Sequence, residues 1–194
     1  MDGVRAGQVA ACALLLVLAG CGADTEDSDP ALAAAVAVVP AGYALAPESS
    51  GPLESDQAAK LLQGDSASAG QRLRTAGYRQ GSVRVLRSGG AFATVAALQV
   101  KDVAAARALL KSELFALRSS PSALVQQAPG LTGGHSYVLD ARTRAGKDVL
   151  CQGALVAQGP RLVLVATCGP HPNSPDVAVA TAAEVIQRLD REAA

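Results

Sequence analysis

The chain has 194 residues with 17 basic and 17 acidic side chains, so its formal net charge is zero. That balance excludes the surplus of Lys and Arg on which general nucleic-acid binding rests, and no nucleic-acid partner is expected. Aromatic residues make up 3% with no Trp, which argues against stacking platforms for sugars or single strands; the length suits one domain with its own core.

The first residues follow the plan of an export signal. Arg5 and the free amino terminus outweigh Asp2, and residues 9–19 are apolar with no charge. This stretch of about eleven residues is shorter than the about 20 needed to span a bilayer as a helix. It ends in Leu18-Ala19-Gly20-Cys21, which resembles a bacterial lipobox. The resemblance implies cleavage after residue 20, lipid on the Cys21 sulfur, and a protein held on the extracytoplasmic face of the cell membrane. The alternative is an ordinary secretory signal with a chance cysteine. The expected organisation is a signal peptide over 1–20, then a lipidated cysteine with an acidic tether and linker over 21–50. An extracytoplasmic domain fills 51–194.

Beyond Cys21, Asp24, Glu26, Asp27 and Asp29 form the tether. Asp29 as cap and Pro30 in the first turn favour a short helix into the apolar run 31–39, whose Val-rich end suits an extended chain equally. The Pro-, Gly- and Ser-rich residues 40–52 read as loop. Ser55 caps a helix ending at Gly64, and a second helix over 67–76 stops at Gly77. The period then changes to two: strands over 82–87 and 91–100 flank Gly89-Gly90, a hairpin dipeptide. Asp102 caps a helix over 103–117 whose stripe is Val103, Ala106, Leu110, Leu114 and Leu117. After a Gly-rich loop at 129–134, strands are expected over 136–142, 148–157 and 161–168. Ser174, Pro175 and Asp176 open the last helix, with Ala178, Ala182, Val185 or Ile186, and Leu189 as its buried stripe. The order ββα then βββα, joined by short turns, predicts an α+β fold: a single antiparallel sheet of about five strands with helices on a face.

Of four cysteines, Cys12 leaves with the signal and Cys21 is committed to lipid. Cys151 and Cys168 remain, symmetric about the Gly159-Pro160 turn. Counting outward from a two-residue turn, Gln158 faces Arg161 and pair types alternate, so Cys151 faces Cys168 in a non-hydrogen-bonded pair. Such pairs have Cα atoms about 4.5 Å apart, within disulfide reach. The same register aligns Leu155 with Leu164 and Ala157 with Leu162. A structural disulfide is expected there. The redox alternative lacks C-x-x-C spacing, and zinc beside His171 lacks a fourth ligand.

Chemistry-bearing motifs are few. His135 and His171 stand in loops without metal or catalytic spacing. Gly134-His135-Ser136-Tyr137-Val138 begins like a nucleophile elbow but lacks its closing Gly, and the Gly-rich loop lacks the Lys and Ser/Thr of a phosphate loop. No catalytic residue, metal site or cofactor is expected; an envelope-directed hydrolase using Ser136 with a histidine is the alternative. Charge is more informative. No acid lies between Asp65 and Asp102, while Arg72, Arg74, Arg79, Arg84, Arg87 and Lys101 do. Arg binds carboxylate and phosphate bidentately, so Arg79, Arg84 and Arg87 are candidate anion-binding residues; a solvated face balanced by acids from other segments is the alternative.

The lipobox, the apolar 31–39 segment running into Pro40-Ala41-Gly42-Tyr43, and the late cysteine pair look like surface lipoproteins of actinobacteria. In layout, residues 31–194 are similar to small α+β extracellular domains of sensor type, including those attached to some receptor kinases. Such domains often carry a second disulfide, which this chain lacks the cysteines to form. The resemblance implies a non-enzymatic binding role outside the cell, with the membrane as one partner through the lipid. A small ligand or an envelope protein would be the other.

Overall fold

The computed structural model describes residues 29–40, 42–46, 50–142, 148–169 and 175–192. The signal segment, Cys21, the tether up to residue 28, His171 and Ser174 lie outside the described residues.

Local sequence sets most element boundaries. The first helix, α1 (Pro30–Ala35), starts where the Asp29 carboxylate accepts from the Ala31 N–H at 2.9 Å, with Pro30 in the first turn, where a missing N–H is harmless. The Val-rich residues after it leave the helix. Two short strands follow, β1 (Ala44–Leu45) and β2 (Gly51–Pro52). Helix α2 (Ser55–Leu61) is capped by Glu54 and not by Ser55: the Gln57 side chain reaches back to accept from the Glu54 N–H at 2.9 Å. Helix α3 (Ser66–Ala76) begins at Asp65, whose carboxylate accepts from Ala67 and Ser68 N–H groups, and ends at Gly77 with φ 65°. An L side chain rarely adopts that left-handed conformation. Asp102 accepts from the Ala105 N–H at 2.7 Å and opens α4 (Val103–Arg118).

Strands β3 (Gln80–Ser88) and β4 (Ala91–Gln99) form the first hairpin. Next come β5 (Ala123–Gln127), β6 (His135–Arg142), β7 (Asp148–Gln158) and β8 (Arg161–Gly169), and helix α5 (Pro175–Glu192) closes the fold. Every pairing is antiparallel, in the order β1-β3-β4-β8-β7-β6-β5 with β2 also on β3. The class is therefore the expected one, a single antiparallel sheet, but it has eight strands among the described residues instead of about five. β1 and β2 are two residues each, too short for any alternation to register. β5 is an edge strand, half-buried on one side and exposed on the other, and its Ala-Leu-Val-Gln-Gln run carries little periodic signal.

Helices cover both faces of the sheet, which corrects the expectation of helices on one. On one side α2, α3 and α4 bury Leu61, Leu73, Leu109 and Leu117 over Val83, Leu98, Leu155 and Leu162. On the other, α1 and α5 bury Leu32, Val36, Val185 and Leu189 over Leu86, Val95, Val156 and Val163. A strand buried on both faces becomes a continuous apolar run, as in the Leu-Val-Leu-Val-Ala of β8. The α4 stripe runs through Ala106, Leu110, Leu114 and Leu117 as expected, while Val103 is left 42% exposed beside the cap.

Cys151 and Cys168 face each other across β7 and β8 and are joined by a disulfide, with Cα atoms 4.1 Å apart. Leu155 faces Leu164, Ala157 faces Leu162, and Gln158 faces Arg161. The symmetric count about the turn thus describes the register.

Candidate functional site

The Arg residues singled out by charge do not form one face. Arg84 and Arg87 are three positions apart on β3, so they project to opposite sides of the sheet. Arg79 precedes β3 and donates to the Lys101 carbonyl at 3.3 Å, at the far end of that strand from Arg87. Arg72 is turned inward instead, onto a carboxylate. His135 and Ser136 are successive residues of β6 and so point to opposite faces; they cannot pair with each other. Ser136 is buried. His135 keeps its Nδ1 buried without a hydrogen-bond partner among the described residues. Burial first, and then the nearby Arg118 charge, holds its pKa below the usual imidazole value, which favours the neutral ring. Among the described residues no group of three or more His, Cys, Asp or Glu stands together to hold a metal ion.

A concave feature lies between α3 and α4. It is an open groove of about 470 Å³, within the range of small-ligand sites. Ala104, Ala105, Ala108 and Leu109 supply its apolar surface from α4, and Arg72, Thr75 and Lys101 are among its polar lining. Small side chains make the groove: alanines on α4 leave the space that leucines would fill. Lys101 is placed by the chain turn. Its N–H donates to the Ala76 carbonyl at 3.2 Å, and its stem packs against Gly77, where a Cβ would approach to 3.0 Å. The Lys101 ammonium has no ion-pair or hydrogen-bond partner among the described residues. The neighbouring Asp102 is occupied in capping α4.

Arg72 forms the partition between this groove and the interior. Its Nε donates to Glu113 at 3.0 Å, its terminal nitrogen stands 2.9 Å from the same oxygen, and that nitrogen also donates to the Gln63 carbonyl. The other Glu113 oxygen accepts from the Gln63 N–H at 2.7 Å. Glu113 is 1% exposed and Arg72 23%. Burial pushes the Glu113 pKa up, while the Gln63 N–H and the Arg72 charge pull it back without cancelling the rise. Behind Glu113 lies a cavity of about 20 Å³ bounded also by Thr94, Tyr137 and Leu155, room for one water. Sequence reading missed Glu113, although a carboxylate on the buried stripe of an amphipathic helix is itself a signal: a charge there needs a partner.

No family model matches the chain, and no curated protein matches its sequence. Among solved structures it is similar to the extracellular domain of PknH from Mycobacterium tuberculosis. The identity is 14% and the TM-score 0.51, covering 84% of this chain and 92% of that one. Likeness at this identity is a likeness of fold. It carries the same architecture over nearly the whole of both chains, without carrying residues.

Proposed function

We propose that the chain is a lipid-anchored, extracytoplasmic binding module, sensor-like and non-enzymatic, that takes a small ligand in the groove between α3 and α4. The groove itself carries the reading: a trough floored by the small side chains of α4, with an ammonium at one end that has no partner among the described residues. The fold shared with the extracellular domain of PknH supports the location. So does the disulfide. With lipid on Cys21, the tether to Asp29 would hold the domain within about 30 Å of the bilayer, at 3.3–3.6 Å per residue.

Two measurements test the parts separately. Metabolic labelling with a fatty-acid probe should mark the wild-type chain and leave Cys21→Ala unlabelled; equal labelling of both would end the anchored reading. For binding, the melting temperature is followed as small-molecule and lipid extracts of the producing cells are added. The wild type should shift upward and Ala108→Trp, which fills the groove from an exposed position, should not. Equal shifts in both proteins, or none in either, would end the groove reading.

A further inference from the structure

The geometry points to a single-chain anionic amphiphile, of the long-chain fatty-acid kind, as the occupant of the groove between α3 and α4. This rests on the reading of the chain as a binding module and names its ligand class.

The groove is charged at one end, where Lys101 and Asp102 stand, and beyond it the small apolar side chains of α4 face the polar side chains Gln71, Arg72 and Thr75 of α3. At the start of α4 the Lys101 ammonium has no partner among the described residues, and the Arg79 guanidinium stands against the Lys101 carbonyl. Lys101 lines the groove, Arg79 stands just outside its lining, and the acid beside them, Asp102, is turned onto the N–H of Ala105. Arg72, farther along, is neutralised from behind by Glu113. The net field at the head of the groove is thus positive, which suits a carboxylate or another anionic head and disfavours a cationic one.

From that end the wall of α4 runs through Ala104, Ala108 and Ser112. The same stripe continues to Phe115, which is three positions beyond Ser112 and 73% exposed. Phe115 is one of only two Phe in the chain. From Lys101 to Phe115 the helix advances about 21 Å at 1.5 Å per residue. A track of that length, floored by small side chains of α4, with Lys101 at one end and an exposed aromatic ring beyond the groove's own lining at the other, fits one extended acyl chain with its head at Lys101. The single row of small side chains on α4 offers one such track.

Calorimetric titration of the full chain compares palmitate, hexadecanol and inorganic phosphate. Palmitate should saturate one site. Hexadecanol, with the same tail and no charge, should bind at least about tenfold more weakly, as should palmitate to the Arg79→Ala/Lys101→Ala variant. Phe115→Ser should also weaken palmitate, and Ala108→Trp should abolish its binding. All of these positions are exposed, so unchanged melting curves separate lost binding from lost fold. Equal binding of palmitate and hexadecanol would overturn the assignment, as would phosphate binding as tightly as palmitate or an Arg79/Lys101 variant with wild-type affinity. If palmitate fails to bind while the cell extracts still raise the melting temperature of wild type and not of Ala108→Trp, the amphiphile is wrong and the binding module stands. If neither palmitate nor the extracts act through the groove, both fall.

Discussion

Tyr137 lies directly over Gly153, its partner across β6 and β7, and a Cβ on that glycine would come within 2.3 Å of the ring. The ring is buried, roofing a strand position that has no side chain of its own, and burial pushes its phenol pKa up. Gly153 is therefore fixed by a neighbour's volume and not by its backbone conformation.

Gly153→Ala should destabilise the domain by about 2 kcal/mol, in the range of overpacking in a close-packed core. Urea denaturation measures this. Pairing the change with Tyr137→Leu should recover part of the loss, because the two residues share one space and their effects will not add. Additive losses in the double variant would show that the ring is not what excludes the methyl group.

Glu113→Ala should cost about 3 kcal/mol or more, because it leaves Arg72 facing the interior without its partner. Arg72→Ala should cost at least as much, since it strands the more deeply buried carboxylate. Replacing both together should cost less than the sum of the single losses. Chemical denaturation of the three variants closes that cycle.

The same carboxylate sets a pH dependence of definite sign. Its native pKa is raised, so the folded protein takes up the proton before the unfolded chain does. The stability this contributes is fully present below the ordinary glutamate range and is lost as pH rises through the raised value. Wild type should therefore gain on Glu113→Gln as pH falls through that window. His135 has the opposite sign, its depressed pKa giving stability that is lost as pH falls. It is common to both proteins and cancels in the difference. A stability difference, wild type minus variant, that is flat with pH or that falls on acidification would contradict the assignment.

The parts of this fold legible in the sequence are those where local chemistry and tertiary burial agree. Asp102 capping α4, Gly77 ending α3, and the Gly159-Pro160 turn that places Cys151 opposite Cys168 each follow from a few adjacent residues. What stayed hidden depends on neighbours remote in the chain. β5 has only one strand partner, and its Leu124 is 62% exposed on the side away from α4, so nothing in its own five residues forces a strand. The second helical layer was concealed for another reason. A strand buried on both faces loses the alternation that would reveal which side is covered. The site was the least legible part. The groove exists because alanines of α4 face α3, and the Arg72–Glu113 pair joins residues 41 positions apart. A run of alanines and a lone carboxylate on a helix stripe hold no spacing that names a ligand.

The disulfide offers a prediction that separates its covalent effect from its burial. Cys151 and Cys168 close a loop with a sequence separation of 17, and both side chains are buried in the layer under α2, α3 and α4. Constraining a loop of that size in the unfolded chain is worth about 3 kcal/mol. Cys151→Ala/Cys168→Ala should therefore lower stability by about that amount, through the freed unfolded state together with a small packing loss. Cys151→Ser/Cys168→Ser carries the same entropic loss and in addition buries two hydroxyls. Leu139 on β6 and Phe92 on β4 are the flanking partners, and both are apolar. Without new hydrogen bonds the serine pair should be less stable than the alanine pair by about 1–3 kcal/mol per hydroxyl. Denaturation of the two double variants without reductant, beside wild type with and without it, provides the comparison. Equal stability of the Ala and Ser pairs would mean the hydroxyls reach water or a backbone partner, and that this end of the sheet opens more readily than its burial implies.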